Sequence, residues 1–69
     1  MVNTLKLKAA IVEAGYTQTA LAQKLHISEN SLSAKINGRA KFDIEEATEI
    51  CEVLNIHNNE QKALIFLNL

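Results

Sequence analysis

The sequence predicts an all-α fold, a compact bundle of five short helices with a helix-turn-helix at its centre. Three observations carry this expectation. The 69 residues include no proline and two glycines, so little interrupts a helical run. Hydrophobic residues make up 48% of the chain and aromatics 4%, a composition suited to Leu, Ile, Val and Ala packed between helices. Apolar residues recur at helical spacing instead of alternating. At this length residues 1–69 are expected to form one domain whose core only just outweighs chain entropy, and a large enzymatic cleft is not expected.

The first helix is expected from about Asn3 to Ala14. Leu5, Ala9 and Val12 fall at i, i+4 and i+7, with Leu7, Ile11 and Ala14 on the adjoining stripe, which makes a broad apolar face flanked by Lys6 and Lys8. Gly15 suits the left-handed conformation that closes a helix, and Tyr16 can lay its ring over that end while its hydroxyl stays in water.

The stretch Thr17 to Gly38, TQTALAQKLHISENSLSAKING, reads as two short helices joined by a tight turn. Leu21, Leu25, Ile27, Leu32 and Ile36 would share one side, and Ala22 stays small where the helices cross. Thr17 is placed to cap the first helix and Ser28 the second, which would run from Ser28 to Asn37. The turn at His26 calls for a left-handed backbone, which a non-glycine residue adopts at roughly 1 kcal/mol. Gln18, opening the first motif helix, can offer both its backbone N–H and its amide to a phosphate. Only Leu32 and Ile36 of the second motif helix are strongly apolar. Its other faces carry Glu29, Asn30, Ser31, Ser33, Ala34, Lys35 and Asn37, short polar groups suited to a groove.

Beyond Gly38, Phe42 should anchor a short loop that leaves Arg39 and Lys41 outside, near the phosphates of any duplex the preceding helix enters. Asp43 and Glu46 form a capping-box pair for a helix from Ile44 to Leu54. Ile44, Ala47, Ile50, Cys51 and Leu54 are expected on its core side, with Glu45, Glu49 and Glu52 on the solvated side. Asn58 or Asn59 should cap a last helix, roughly Glu60 to Asn68. Leu64, Ile65, Phe66, Leu67 and Leu69 surround that helix almost completely, more than one face can bury, so part of this segment is expected to serve as a dimer or partner interface.

The net charge of −1 conceals an asymmetry. Residues 1–41 carry six cations against two carboxylates, and residues 42–69 one cation against six carboxylates, so the motif lies in the basic half. One cysteine and two distant histidines give no metal site, and no cofactor is expected. Cys51 reads as a small core hydrophobe. With no disulfide, secretory leader or long apolar run, the expected setting is the cytoplasm, with no membrane association. An enzyme is disfavoured: there is no nucleophile beside a base, no pair of convergent carboxylates and no phosphate-cradling glycine loop.

The segments GYTQTALAQKLHIS and ENSLSAKINGRAKF resemble the second and third helices, and the loop beyond, of the Cro/repressor group of lambda-repressor-like helix-turn-helix proteins. DIEEATEICEVLNI resembles the fourth helix of that group, and the likeness covers nearly the whole chain. The resemblance implies phosphate contacts by Gln18 and Ser28, positions facing bases at Glu29, Asn30 and Ala34, and Asn37, Arg39 and Lys41 beside the DNA backbone. The chain departs from the group at His26, where Gly is usual, at Glu29, a carboxylate at the mouth of the groove, and at Ala34, where a longer side chain is common. Base reading should therefore fall mainly on Asn30, with help from Ser31, Ser33 and Lys35.

The function this implies is a sequence-specific transcriptional regulator of phage or prophage type, dimeric on double-stranded operator DNA, with no small-molecule substrate. The alternative is an antirepressor that binds a repressor protein through its apolar last helix, with or without DNA.

Overall fold

The computed structural model describes residues 2–66. Among them are five helices: α1 (Thr4–Glu13), α2 (Gln18–Leu25), α3 (Glu29–Ile36), α4 (Ile44–Val53) and α5 (Asn59–Ile65). The all-α expectation holds, and the helix boundaries agree with the sequence reading to within a residue or two, apart from the end of α5. No described helix is long and apolar enough to cross a membrane.

Each helix starts on a side-chain cap: Asn3, Thr17, Ser28, Asp43 and Asn58 all accept from backbone N–H groups of the first turn. The capping box at α4 is complete. The Glu46 N–H donates to Asp43 Oδ1 at 2.7 Å, and the Asp43 N–H donates to Glu46 Oε1 at 3.0 Å.

The first four helices stop in one way. Gly15, His26, Gly38 and Asn55 have φ of 81°, 58°, 80° and 58°. In each case the next residue donates its N–H five residues back: Tyr16 to Ile11, Ile27 to Ala22, Arg39 to Ala34 and Ile56 to Cys51. Three of these following residues, Tyr16, Ile27 and Ile56, pack on or in the core, as this type of helix end favours. The fourth, at the end of α3, is the exposed Arg39.

The core gathers Leu7 and Ile11 of α1, Leu21 and Leu25 of α2, Leu32 and Ile36 of α3, Ile50 and Cys51 of α4, and Ile65 of α5. Phe42 anchors its loop as expected. Its ring meets Phe66 edge-on, with centroids 5.5 Å apart and planes at 88°.

Two apolar expectations and one helix boundary are corrected. On α1 only Leu7, Ala10 and Ile11 are buried, whereas Leu5 is 80% and Val12 73% exposed, and Ala9 and Ala14 face solvent as well. The helix has two adjoining apolar stripes, but α3 and α5 both pack on one of them. Ile44, expected in the core, is 72% exposed. As the first helical residue of α4 it lies on the rim of a cleft beside α5 and not over the core. The last helix ends at Ile65, short of the expected Asn68. There the Asn3 N–H donates to the Ile65 carbonyl at 2.7 Å, and Phe66 leaves helical geometry to form an isolated antiparallel bridge with Val2.

That pairing also changes the interface expectation. Ile65 and Phe66 are 2% and 5% exposed, buried in the chain's own core and unavailable to a partner. Leu64 alone, at 52%, remains as exposed apolar surface on the described part of that segment, and Leu67 and Leu69 lie outside the described residues.

Candidate nucleic-acid interface

Helices α2 and α3 pack against each other through Leu21, Ala22 and Leu25 on one side and Leu32 and Ile36 on the other. His26, left-handed at φ 58° and ψ 38°, makes the turn between them. Both anchors of α3 are fully buried, so the opposite side of α3 must face outward: Glu29, Asn30 and Ser31 are exposed, and Ser33, Ala34 and Lys35 half-buried.

Hydrogen bonds fix α3 at both ends. At its start, Ser28 Oγ accepts from the Ser31 N–H at 3.1 Å and bonds Ser31 Oγ at 2.9 Å. The Thr19 hydroxyl of α2 donates to Glu29 Oε1 at 2.8 Å, which ties the two motif helices together on their outer side. At its far end the Thr4 hydroxyl, from the first turn of α1, donates to the Ile36 carbonyl at 2.7 Å. This satisfies one of the carbonyls that a helix end leaves without a partner.

Electrostatics separate the two motif helices. The first turn of α2 carries no acidic residue, so its positive end is open to an anion beside the half-buried Gln18. The first turn of α3 carries Glu29.

Residues 7–57 match the family model described as helix-turn-helix. The chain belongs to this family, in its Cro/repressor-like XRE group. Comparisons with curated proteins and with solved structures return no significant match. A helix-turn-helix protein of this group is a DNA-binding regulator.

Within this helix-turn-helix the expected site residues beyond Gln18 differ in how far the chain itself engages them. Asn30, Arg39 and Lys41 are exposed, with Asn30 on the first turn of α3 and the two cations on the loop that folds back from its end. Ser28, Glu29, Ser31, Ser33 and Asn37 lie on the same element, but hydrogen bonds within the chain engage their side chains. The Asn37 amide, for example, donates to the Ser33 carbonyl at 2.9 Å and to Ser33 Oγ at 3.3 Å. Ala34 is half-buried, and its carbonyl receives the N–H groups of Arg39 and Ala40 at 2.8 and 3.1 Å.

Lys35 is the departure. Its ammonium pairs with the carboxylate of Glu46 on α4, with the two side chains 18% and 27% exposed, so it is engaged within the chain. One carboxylate thus serves two elements: Oε1 caps the start of α4 and Oε2 holds α3. The hydrogen bond from Lys35, then that from the Asp43 backbone, holds the Glu46 carboxyl below its ordinary value against a smaller opposing effect of burial. Burial pushes the Cys51 thiol up, in keeping with an inert core position, while the Lys62 charge acts weakly in the other direction.

Sequence reasoning missed the contacts made by Thr4, Thr19 and Lys35. Thr4 and Ile36 are 32 residues apart, and a helix-opening Thr gives no hint of its acceptor. For Lys35 a signal existed: a capping-box Glu has a second carboxylate oxygen, and Lys35 lies in the last turn of the helix just before it.

Proposed function

We propose that this helix-turn-helix protein is a sequence-specific transcriptional regulator that lays the 28–37 segment in the major groove of operator DNA and reads adenine through Asn30. The observation that carries this reading is the contrast on the outer side of α3. Asn30 is exposed at the first turn, and around it Ser28, Glu29 and Ser31 are engaged with neighbours. An asparagine amide so presented can meet adenine N6 and N7 bidentately. Arg39 and Lys41 meet phosphates on one side of the groove, and Gln18 meets them at the open positive end of α2. One such helix reads only a few base pairs, so the regulator acts as a dimer on half-sites about one helical turn apart. The likeness to Cro/repressor proteins favours a phage or prophage origin.

The test is selection of duplexes from a random library, followed by anisotropy on the selected sequence. Asn30→Ala should lower the preference for that sequence by about 1–3 kcal/mol, roughly 5- to 150-fold. Lys41→Ala should weaken all duplexes alike. Absence of duplex binding at low salt would end this reading.

A further inference from the structure

The exposed stripe on α1 is an apolar face without a partner among the described residues. Leu5 and Val12 are 80% and 73% exposed, with the small Ala9 between them at helical spacing. Alongside runs a shallow groove of about 180 Å³ between α1 and α5, walled by Lys6 and Glu13 on one side and Leu64 on the other. Protruding apolar side chains beside a groove on the same face make a surface that a second copy of itself can fit.

The charges decide the direction of such a pairing. Lys6 and Glu13 lie on one flank of the stripe, two turns apart. About a two-fold axis near Ala9, antiparallel α1 helices bring Leu5 against Val12 of the second copy, and Lys6 against Glu13 of the second copy, twice over. A parallel pairing would set lysines against lysines.

A second observation agrees. α1 has no acidic residue in its first turn and no basic residue in its last; Lys6 sits near its positive end and Glu13 at its negative end. That order is unfavourable within one helix, yet it suits an antiparallel neighbour, whose ends present the opposite partial charges. Lys8, on the other flank, faces its own copy across the axis. The two attractive pairs outweigh this single repulsion, so added salt weakens the pairing modestly.

We propose that the Leu5–Ala9–Val12 face of α1 is a self-association surface, on which a second copy of this chain packs antiparallel through two Lys6–Glu13 pairs. One helix pair with Leu64 at its edge buries less than a standard interface of roughly 1,200 Å², so the dimer is weak and concentration-dependent. The inference does not rest on DNA reading, and its test uses the protein alone.

Sedimentation velocity from micromolar to near-millimolar concentration should show a monomer–dimer equilibrium. Lys6→Glu and Glu13→Lys should each weaken it by roughly tenfold, because each turns two attractive contacts into two repulsive ones. The double variant K6E/E13K should restore it. The swapped order also suits the dipole of α1 itself, so loss of the dimer in either single variant cannot be ascribed to unfolding, which circular dichroism would confirm. A protein that stays monomeric throughout, a dimer unaffected by Val12→Glu, or a double variant no better than the single ones would overturn the proposal.

Discussion

His26 offers a direct test of how the helix-turn-helix turn is held. Its backbone lies at φ 58° and ψ 38°, where a side chain with a Cβ crowds the following carbonyl at about 1–2 kcal/mol, and where glycine is free of that penalty. The imidazole is exposed, so little packing is lost on its removal. Against the relief stands the extra freedom that glycine gives the unfolded chain, about 0.4–1 kcal/mol. His26→Gly should therefore stabilise the domain by about 0.5–1 kcal/mol, which for a domain of this size raises Tm by roughly 2–8 °C. Asn55 has the same φ of 58° and serves as an internal control. Asparagine visits this region routinely because its short polar side chain can hydrogen-bond to the local backbone, which the histidine ring does not do as well, so Asn55→Gly should change Tm by less. Thermal and urea unfolding followed by circular dichroism would measure both variants. If His26→Gly lowers Tm, or if Asn55→Gly raises it more, then strain at the turn is not what separates histidine from glycine here.

The remaining predictions concern the core, the ion pair and salt. Ile36→Ala, at a fully buried site, should cost about 2–5 kcal/mol and leave so small a domain largely unfolded, whereas Leu5→Ala should stay within about 0.5 kcal/mol; urea melts at low protein concentration would separate them. Glu46 has a lowered folded-state pKa, so its contribution to stability is present above the ordinary carboxylate value and disappears as pH falls through the folded value. Glu46→Gln keeps an acceptor for the Asp43 N–H, should lower stability at neutral pH by less than about 1 kcal/mol because the pair is partly exposed, and should flatten the acid limb of the stability–pH curve. Because Lys35 is engaged by Glu46, Lys35→Met should leave the dependence of duplex affinity on salt nearly unchanged, while Lys41→Ala should reduce the slope by about one; an equal effect of the two would place the Lys35 ammonium on DNA after all.

The fold was legible because local signals agreed with one another. Thr17, Ser28 and Asp43 could be read as caps, and Gly15, His26 and Gly38 as stops, since each reports chemistry within a few residues of itself. The α1 stripe was misread because Leu5–Ala9–Val12 and Leu7–Ile11 are equally apolar, and periodicity gives a face without saying which neighbour covers it. Ile44 fits the spacing of the α4 core positions yet lies a turn beyond the packed part. For the site, the residues on α3 followed from the position of its two buried anchors. Which of them are free did not, because the bonds of Glu29 to Thr19 and of Lys35 to Glu46 join residues 10 and 11 positions apart, across a turn and a loop. Ile65 and Phe66 looked surplus only while the contacts of Val2 and Asn3 were unknown.

The Thr4 hydroxyl on the Ile36 carbonyl extends the reading head beyond the segment that names it. Val2 bridges Phe66, Asn3 caps α1 and binds the Ile65 carbonyl, and Thr4 holds the last turn of α3. Three consecutive residues at the start of the chain thus govern where the final helix stops and how the far end of α3 sits. A change at Thr4 would be felt at the far end of α3, 32 residues away in sequence. If α3 reads DNA as proposed, its seating is accordingly open to alteration from outside the helix-turn-helix.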